Sequence, residues 1–290
     1  PRQQLPFSGT GGKPCNVARV KRIFKARTRS QRRLTCEFLS TDTFQVYGRG
    51  ELHIAVLLEN MRRAGYEVQV SQPQVILREE GGIKCEPFEE VIVDIPHIYQ
   101  GTIIERLGTR GFVIKDLHHT EKTVRITFEG PTRGLLGYRN QFVIDTKGEG
   151  ILASRVISFR PHAGQIRKYA VGSMVSMASG NALGYSLWGL QKRGVLYIGP
   201  GTQVYEGMVI GNTSKGDEMR VNPTKGKQLT NMRASGSDEA IDLVPPWELT
   251  VERGLEIIAE DEYLEITPGS VRLRKQYLTE NERSKARREG

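Results

Sequence analysis

The segment FEEVIVDIPHIYQGTIIERLGTRGFVIKDLHHTEKTVRITFEGPTRGLLGYRNQFVIDTKGEGILASRVISF (88–159) decides the fold. FEEVIVDIP (88–96) reads as a strand. QGTIIERLGTRG (100–111) reads as a short helix closed by glycine. FVIKDL (112–117) and TVRITFEG (123–130) form a hairpin about HHTEK. RGLLGYRNQFVIDT (133–146) is helical, and GILASRVISF (150–159) is a strand. Strand, helix, strand, strand, helix, strand is the split βαβ order of a ferredoxin-like domain.

Upstream, the same order recurs without its first strand. A helix over 16–30 precedes LTCEFL (34–39) and TFQVYG (43–48), two strands about a turn at 40–42. ELHIAVLLENMRRAG (51–65) is an amphipathic helix whose stripe includes Leu52, Val56 and Met61, with Gly65 where a C-terminal cap belongs. YEVQV (66–70) then alternates as a half-buried strand. Downstream of 160 the character changes to short strands punctuated by glycine: GSMVSMA (172–178), VLYIGPG (195–201) and QVYEGMVIG (203–211). Two helices interrupt them, at 249–260 and 278–290. The second opens with Thr279 and Glu282 three residues on, a capping-box spacing. The expected class is α+β. A truncated ferredoxin-like domain spans 1–80, a complete one 84–160, and a β-rich domain with a terminal helix 161–290. The missing first strand and the start at Pro1 lead us to expect a piece of a longer protein.

The net charge of +9 is concentrated: residues 1–40 hold ten Lys and Arg against one acid, Glu37. Clustering of this kind favours a phosphate backbone. The basic helix with Arg19, Lys21 and Arg22 is therefore either a contact for a phosphate backbone or a solvated face. Three cysteines, Cys15, Cys36 and Cys85, match no zinc or CxxC spacing, and free thiols in a reducing cytoplasm are expected. No apolar run approaches the ~20 residues of a membrane helix, and residues 1–14 lack the apolar core of a signal peptide.

Catalytic motifs are absent. GTGGKP (9–14) places Phe7 and Pro14 where a phosphate loop needs its first glycine and its Ser or Thr, so nucleotide binding there is not expected. No HExxH or GxSxG occurs, no metal site is expected, and His118-His119 reads as a solvated pair in a hairpin turn. The most informative stretch is RVNPTKGKQLTNMRASGSDEA (220–240). From Met219 to Ser237 it carries Arg220, Lys225, Lys227 and Arg233 with no acid, interleaved with amides and hydroxyls. Such a loop offers charge to phosphates and hydrogen bonds to sugars and base edges. A merely solvated loop is the competing reading, although polar loops this long are uncommon in compact domains without a function.

Several stretches resemble one family. GRGELHIAVLLENMRRAGYEVQVSQPQVI (48–76) looks like domain III of translational GTPases, in the BipA/TypA form. PTRGLLGYRNQF with TKGEGI (131–151) is similar to the elongation-factor-G-like domain V. GLQKRGVLYIGPGTQVYEGMVIG (189–211), NPTKGKQLTNMRASGSDEA (222–240) and DEYLEITPGSVRLRKQYLTENER (261–283) resemble the C-terminal domain private to BipA/TypA. The resemblance implies a cytoplasmic GTPase, monomeric, that binds the 70S ribosome and serves stress adaptation and large-subunit assembly. Its C-terminal loop would reach rRNA and the acceptor end of A-site tRNA. Carried over, that loop is Asn222 to Ser235, with Lys225, Lys227, Gln228, Thr230, Asn231, Met232 and Arg233 as contacts. Arg283, Lys285, Arg287 and Arg288 near the C-terminus are further rRNA candidates. GTP and Mg would belong to a nucleotide-binding domain outside these residues, so this chain needs no cofactor and hydrolyses nothing itself. Two departures are local: Asn16-Val17-Ala18-Arg19 replaces a TSR-like segment, and GTRG (108–111) replaces GERKG. An alternative is a stand-alone RNA-binding ribosome-assembly factor that never had a GTPase domain.

Overall fold

A computed structural model describes residues 13–14, 35–38, 43–48, 50–166, 172–214, 216–226 and 242–289. The chain forms two compact units, Pro73–Ala170 and, from its two ends together, Pro1–Gln72 with Val171–Gly290. The expected 84–160 module lies inside the first of these. The second is made of residues 1–72 of the expected 1–80 module and 171–290 of the expected 161–290 module, so 73–80 and 161–170 go with the first.

In the 73–170 unit the strands are β5 (Arg78–Glu80), β6 (Ile83–Pro96), β7 (Val113–His119), β8 (Thr123–Pro131) and β9 (Ile151–Pro161). The order β9-β6-β8-β7 is antiparallel throughout, which is the ferredoxin-like arrangement read from sequence, with β5 added against the start of β6. Alternation turns Val91, Val93 and Ile95 of β6 inward, onto Ile103 and Leu107 of the helix at Gln100–Thr109 and Phe142 of the helix at Arg139–Asp145. The helix expected over 133–146 is two pieces, Thr132–Leu135 and Arg139–Asp145. Gly137 between them has φ +69°, a conformation that an uninterrupted helix does not hold. The hairpin turn runs Thr120 to Thr123, closed by Thr120 N–H to Thr123 O at 2.8 Å, so His118 and His119 end β7 and do not lie in the turn.

The other unit starts with β1 (Lys13–Pro14), β2 (Thr35–Phe38) and β3 (Phe44–Tyr47), followed by α1 (Glu51–Arg63) and β4 (Tyr66–Ser71). β2 and β3 pair as the expected hairpin. β4 joins a larger sheet: β1 runs parallel to one edge of it, and β16 (Glu262–Ile266) pairs antiparallel with the other. The sheet continues through β17 (Val271–Lys275), β14 (Met208–Thr213) and β10 (Gly172–Ser176) to β15 (Met219–Val221), with β12 (Gly194–Leu196) also on β14, while β11 (Gly180–Asn181) and β13 (Gln203–Val204) pair with each other. Ala55 and Leu58 of α1 enter one core with Leu255, Leu264 and Leu273, while Leu57 and Met61 pack on Cys36, Val46 and Tyr66.

α1 therefore buries two faces, and this corrects the expected stripe. Met61 is buried, but Leu52 is 63% exposed and Val56 41% exposed. IAVLL (54–58) is apolar all round, so periodicity could not choose the inward side. Gly65, at φ +84°, caps the helix as expected. Toward the end of α1, Glu59 pairs with Arg62 at 2.8 Å and with Arg63 at 2.9 Å. The Arg62 hydrogen bond, against some burial, holds the Glu59 carboxyl at about 2 instead of the ordinary 4.5.

Two outcomes check this packing. Leu58→Ala should lower the unfolding free energy by about 2–4 kcal/mol in urea titration, and Leu52→Ala by less than about 0.5. A depressed carboxylate contributes stability that is present above pH 4.5 and lost as the pH falls toward 2. Glu59→Gln should therefore reduce the loss of stability across that acid window.

Candidate nucleic-acid interface

The polar loop begins where β15 ends. Asn222 Oδ1 accepts from Thr224 N at 3.0 Å and from Thr224 Oγ1 at 2.8 Å, an Asx turn that folds the chain out of the sheet. This turn sits against a helix absent from the sequence reading, α5 (Gly184–Leu190), continued by a 3-10 turn over Gln191–Arg193. Two helices of the 73–170 unit and its one-turn segment at 132–135 precede it in chain order as α2 to α4. Leu183 N donates to Pro223 O at 2.9 Å, and Ser186 Oγ donates to Asn222 O at 2.5 Å.

The same helical segment grips the far foot of the loop. Gln191 Nε2 donates to Asp242 O at 2.9 Å, and Val244 N donates to Gln191 Oε1 at 3.0 Å. Ser186 and Gln191 are five residues apart, roughly 7–8 Å along a helix. One short element thus fixes both the departure and the return of the chain between 222 and 242.

Of the described residues at the start of the loop, Asn222, Lys225 and Gly226 are exposed, Thr224 is half-buried and Pro223 is buried. Asn222 and Lys225 face solvent, and Lys225 makes no ion pair among the described residues. Lys227, Gln228, Thr230, Asn231, Met232, Arg233 and Ser235 lie outside the described residues, as do Arg19, Lys21 and Arg22. Arg220, counted among the loop cations in sequence, belongs to β15 and is ion-paired with Glu280.

The C-terminal helix α7 (Glu280–Glu289, after α6 at Val251–Ile257) has the capping box its sequence suggests. Thr279 N donates to Glu282 Oε2 at 3.2 Å, and Glu282 N to Thr279 Oγ1 at 3.3 Å. Arg283 departs from its expected role as an rRNA contact. It is 7% exposed, and Nη1 donates to Leu278 O at 2.7 Å and Tyr277 O at 3.2 Å. Its guanidinium satisfies carbonyls ahead of the helix and is not available to a phosphate. Lys285 and Arg288 are exposed on the same helix, and the Arg287 side chain lies outside the described part.

Other cations also point inward. Arg274 pairs with Glu265 at 2.9 Å, and the Tyr205 hydroxyl donates to the same carboxylate at 2.6 Å. Lys275 is buried with Asp261 at 2.9 Å and Glu262 at 3.1 Å. Burial works against the Lys275 charge, but Glu262 and Asp261 outweigh it and hold the ammonium above its ordinary range. The basic stretch Arg272 to Lys275 is thus partly spent on the interior.

Among the described residues no three His, Cys, Asp or Glu are placed to hold a metal ion. His118 Nε2 lies 2.8 Å from Asp116 Oδ2, and His97 and His119 stack with ring centroids 5.4 Å apart. Lys13 and Pro14, the end of the glycine-rich stretch, are strand residues paired with β4, and residues 9–12 lie outside the described part.

If Gln191 fixes the far foot, Gln191→Ala should speed hydrogen exchange at the Val244 amide, whose acceptor it removes. The global unfolding midpoint should stay within the range of an ordinary surface change. Unchanged exchange at Val244 would contradict the anchoring role.

Two family models match the chain. The elongation factor G C-terminus model matches residues 83–169, and the TypA/BipA C-terminal domain model matches residues 171–280. The chain is 43% identical to the large ribosomal subunit assembly factor BipA of Escherichia coli K12 over 288 residues, 98% of this chain and 47% of that protein. It is 40% identical to the factor of the same name from Bacillus subtilis 168, over 97% of this chain and 46% of that protein. The Haemophilus influenzae factor is 43% identical over 98% and 46%. The chain spans about half the length of these curated relatives. With an elongation-factor-G-like ferredoxin domain followed by the domain that distinguishes TypA/BipA, and with such identity along almost its whole length, the chain belongs to the TypA/BipA family.

Proposed function

We propose that this chain is the ribosome-contacting part of a cytoplasmic translational GTPase that acts in large-subunit assembly and in stress adaptation. GTP and Mg2+ would be held by a nucleotide-binding domain outside these residues, and the chain itself would bind without hydrolysing. Loop 222–235 would meet rRNA and the acceptor end of A-site tRNA on the 70S ribosome. Lys225, Lys227 and Arg233 supply charge, and Asn222, Gln228, Thr230, Asn231, Met232 and Ser235 supply hydrogen bonds and packing.

The observation that carries this reading is the anchoring of both loop feet on one helix beside an exposed Lys225. A fixed base limits the ordering entropy that a polar loop loses on binding. The names of the relatives point to the large subunit as the target. Arg19, Lys21 and Arg22, with Lys285, Arg287 and Arg288, remain secondary candidates for rRNA. The chain is expected to act as a monomer.

Lys225, Lys227 and Arg233 changed together to Ala should weaken co-sedimentation with 70S ribosomes. The dependence of log K on log salt should flatten by about two units, near 0.7 for each phosphate contact on single-stranded RNA. Arg283→Ala should lower thermal stability and leave that slope unchanged. If the triple variant sediments like the wild type at every salt concentration, the loop does not contact RNA.

A further inference from the structure

Helix α5 does more than hold the loop. Tyr185, Trp188, Gly189 and Lys192 fall at spacings of three and four, so they share one face of the helical segment. Leu187, on the opposite side, is buried in the core that also holds Met174, Leu196 and Ile210. Neither Tyr185 nor Trp188 joins any hydrophobic core of the described residues. Tyr185 is 41% exposed, and Trp188 is half-buried with the Lys192 ammonium 4.0 Å from its ring centroid.

Gly189 lies between these aromatic residues and the lysine. A Cβ at that position would meet nothing within 4 Å, so no packing constraint among the described residues requires glycine there. A mid-helix glycine costs about 1 kcal/mol relative to alanine. With no side chain at Gly189, the helix face shared with Tyr185, Trp188 and Lys192 keeps an open shelf there.

Cations frame the shelf. Lys192 and Arg193 are exposed at one end, and Lys225 is exposed on the loop foot whose Pro223 carbonyl Leu183 holds. Arg193 reaches the Met219 sulfur at 3.6 Å and forms no ion pair among the described residues. The acid at the other foot, Asp242, is exposed, and its carbonyl is taken by Gln191. Aromatic faces beside unneutralised cations are the chemistry of single-stranded nucleic-acid binding, where bases stack and phosphates meet charge. A protein surface has less use for this combination of cations and an open, glycine-lined gap.

We infer that the Tyr185–Trp188–Gly189–Lys192 face of α5 is a stacking site for unpaired RNA nucleotides, next to the loop. On binding, the Lys192 ammonium leaves the Trp188 ring for a phosphate and a base takes its place. This rests on the RNA-contacting reading of loop 222–235 but names a different surface, with its own signature.

The test is binding of an unstructured oligoribonucleotide of about a dozen nucleotides, long enough for one such site, to the 290-residue chain, followed by fluorescence anisotropy across a salt series. Trp188→Leu and Tyr185→Leu should each weaken binding about ten-fold, the size of one base–aromatic stack, with the salt slope unchanged. Trp188→Phe should restore most of the affinity. Lys192→Gln should lower the slope by roughly 0.7. Gly189→Leu should weaken binding by filling the shelf while raising thermal stability.

The loop variant at Lys225, Lys227 and Arg233, measured in parallel, separates the two readings. Loss of binding there with none for Trp188→Leu overturns the stacking site and leaves the loop standing. The reverse keeps the stacking site and sinks the loop. Failure of the wild type to bind the oligoribonucleotide at any salt, while still sedimenting with ribosomes, overturns the stacking site alone. If Trp188→Leu weakens ribosome binding but not oligoribonucleotide binding, the face meets a ribosomal protein and the inference is wrong.

Discussion

Hydrogen bonds from one short helix fix both described feet of the polar segment that leaves the sheet at Asn222 and returns at Asp242. Ser186 and the Leu183 amide hold the chain as it leaves at Asn222 and Pro223. Gln191 spans the return, donating to Asp242 O and accepting from Val244 N. A loop with about 20 residues free at both ends would sample many paths, and each would add to the entropy lost on contact. Fixing both feet on one core-packed helix offsets part of that cost before any partner arrives. Leu187 gives the helix its own purchase in the core.

Charge is partitioned in the same region. Arg220, Arg274, Lys275 and Arg283 serve the protein itself, through Glu280, Glu265, the Asp261–Glu262 pair and the carbonyls of Tyr277 and Leu278. Lys192, Arg193 and Lys225 remain at the surface. Net charge therefore says little about which cations reach a polyanion. Carboxylates and carbonyls placed by the fold make that selection. A buried lysine among three acids contributes to holding β16, β17 and the segment at Glu218 together, and lends nothing to a phosphate contact.

The two ends of the chain are joined by backbone pairing as well as by packing. β4 supplies its edge to β16, with Val68 to Ser71 opposite Ile266 to Tyr263, and α1 lies over the junction. A strand that reads as the last element of a small ferredoxin-like module thus becomes an interior strand of a larger sheet. Its half-buried alternation fits either place.

The sequence by itself determined the ferredoxin-like unit, the hairpin at 35–47, the glycine cap of α1 and the capping box of α7. Each depends on local periodicity or on residues three or four apart. It also marked the cation-rich loop by composition. It did not reveal α5, because Gly184 and Gly189 give GYSLWGL the look of a loop and the helix holds through tertiary packing of Leu187. Nor could it tell which face of α1 is buried or that β4 pairs with β16. Those outcomes are decided by partners up to about two hundred residues away in the chain, such as Gln69 bonded to Arg274. Only folding brings such groups within hydrogen-bonding reach.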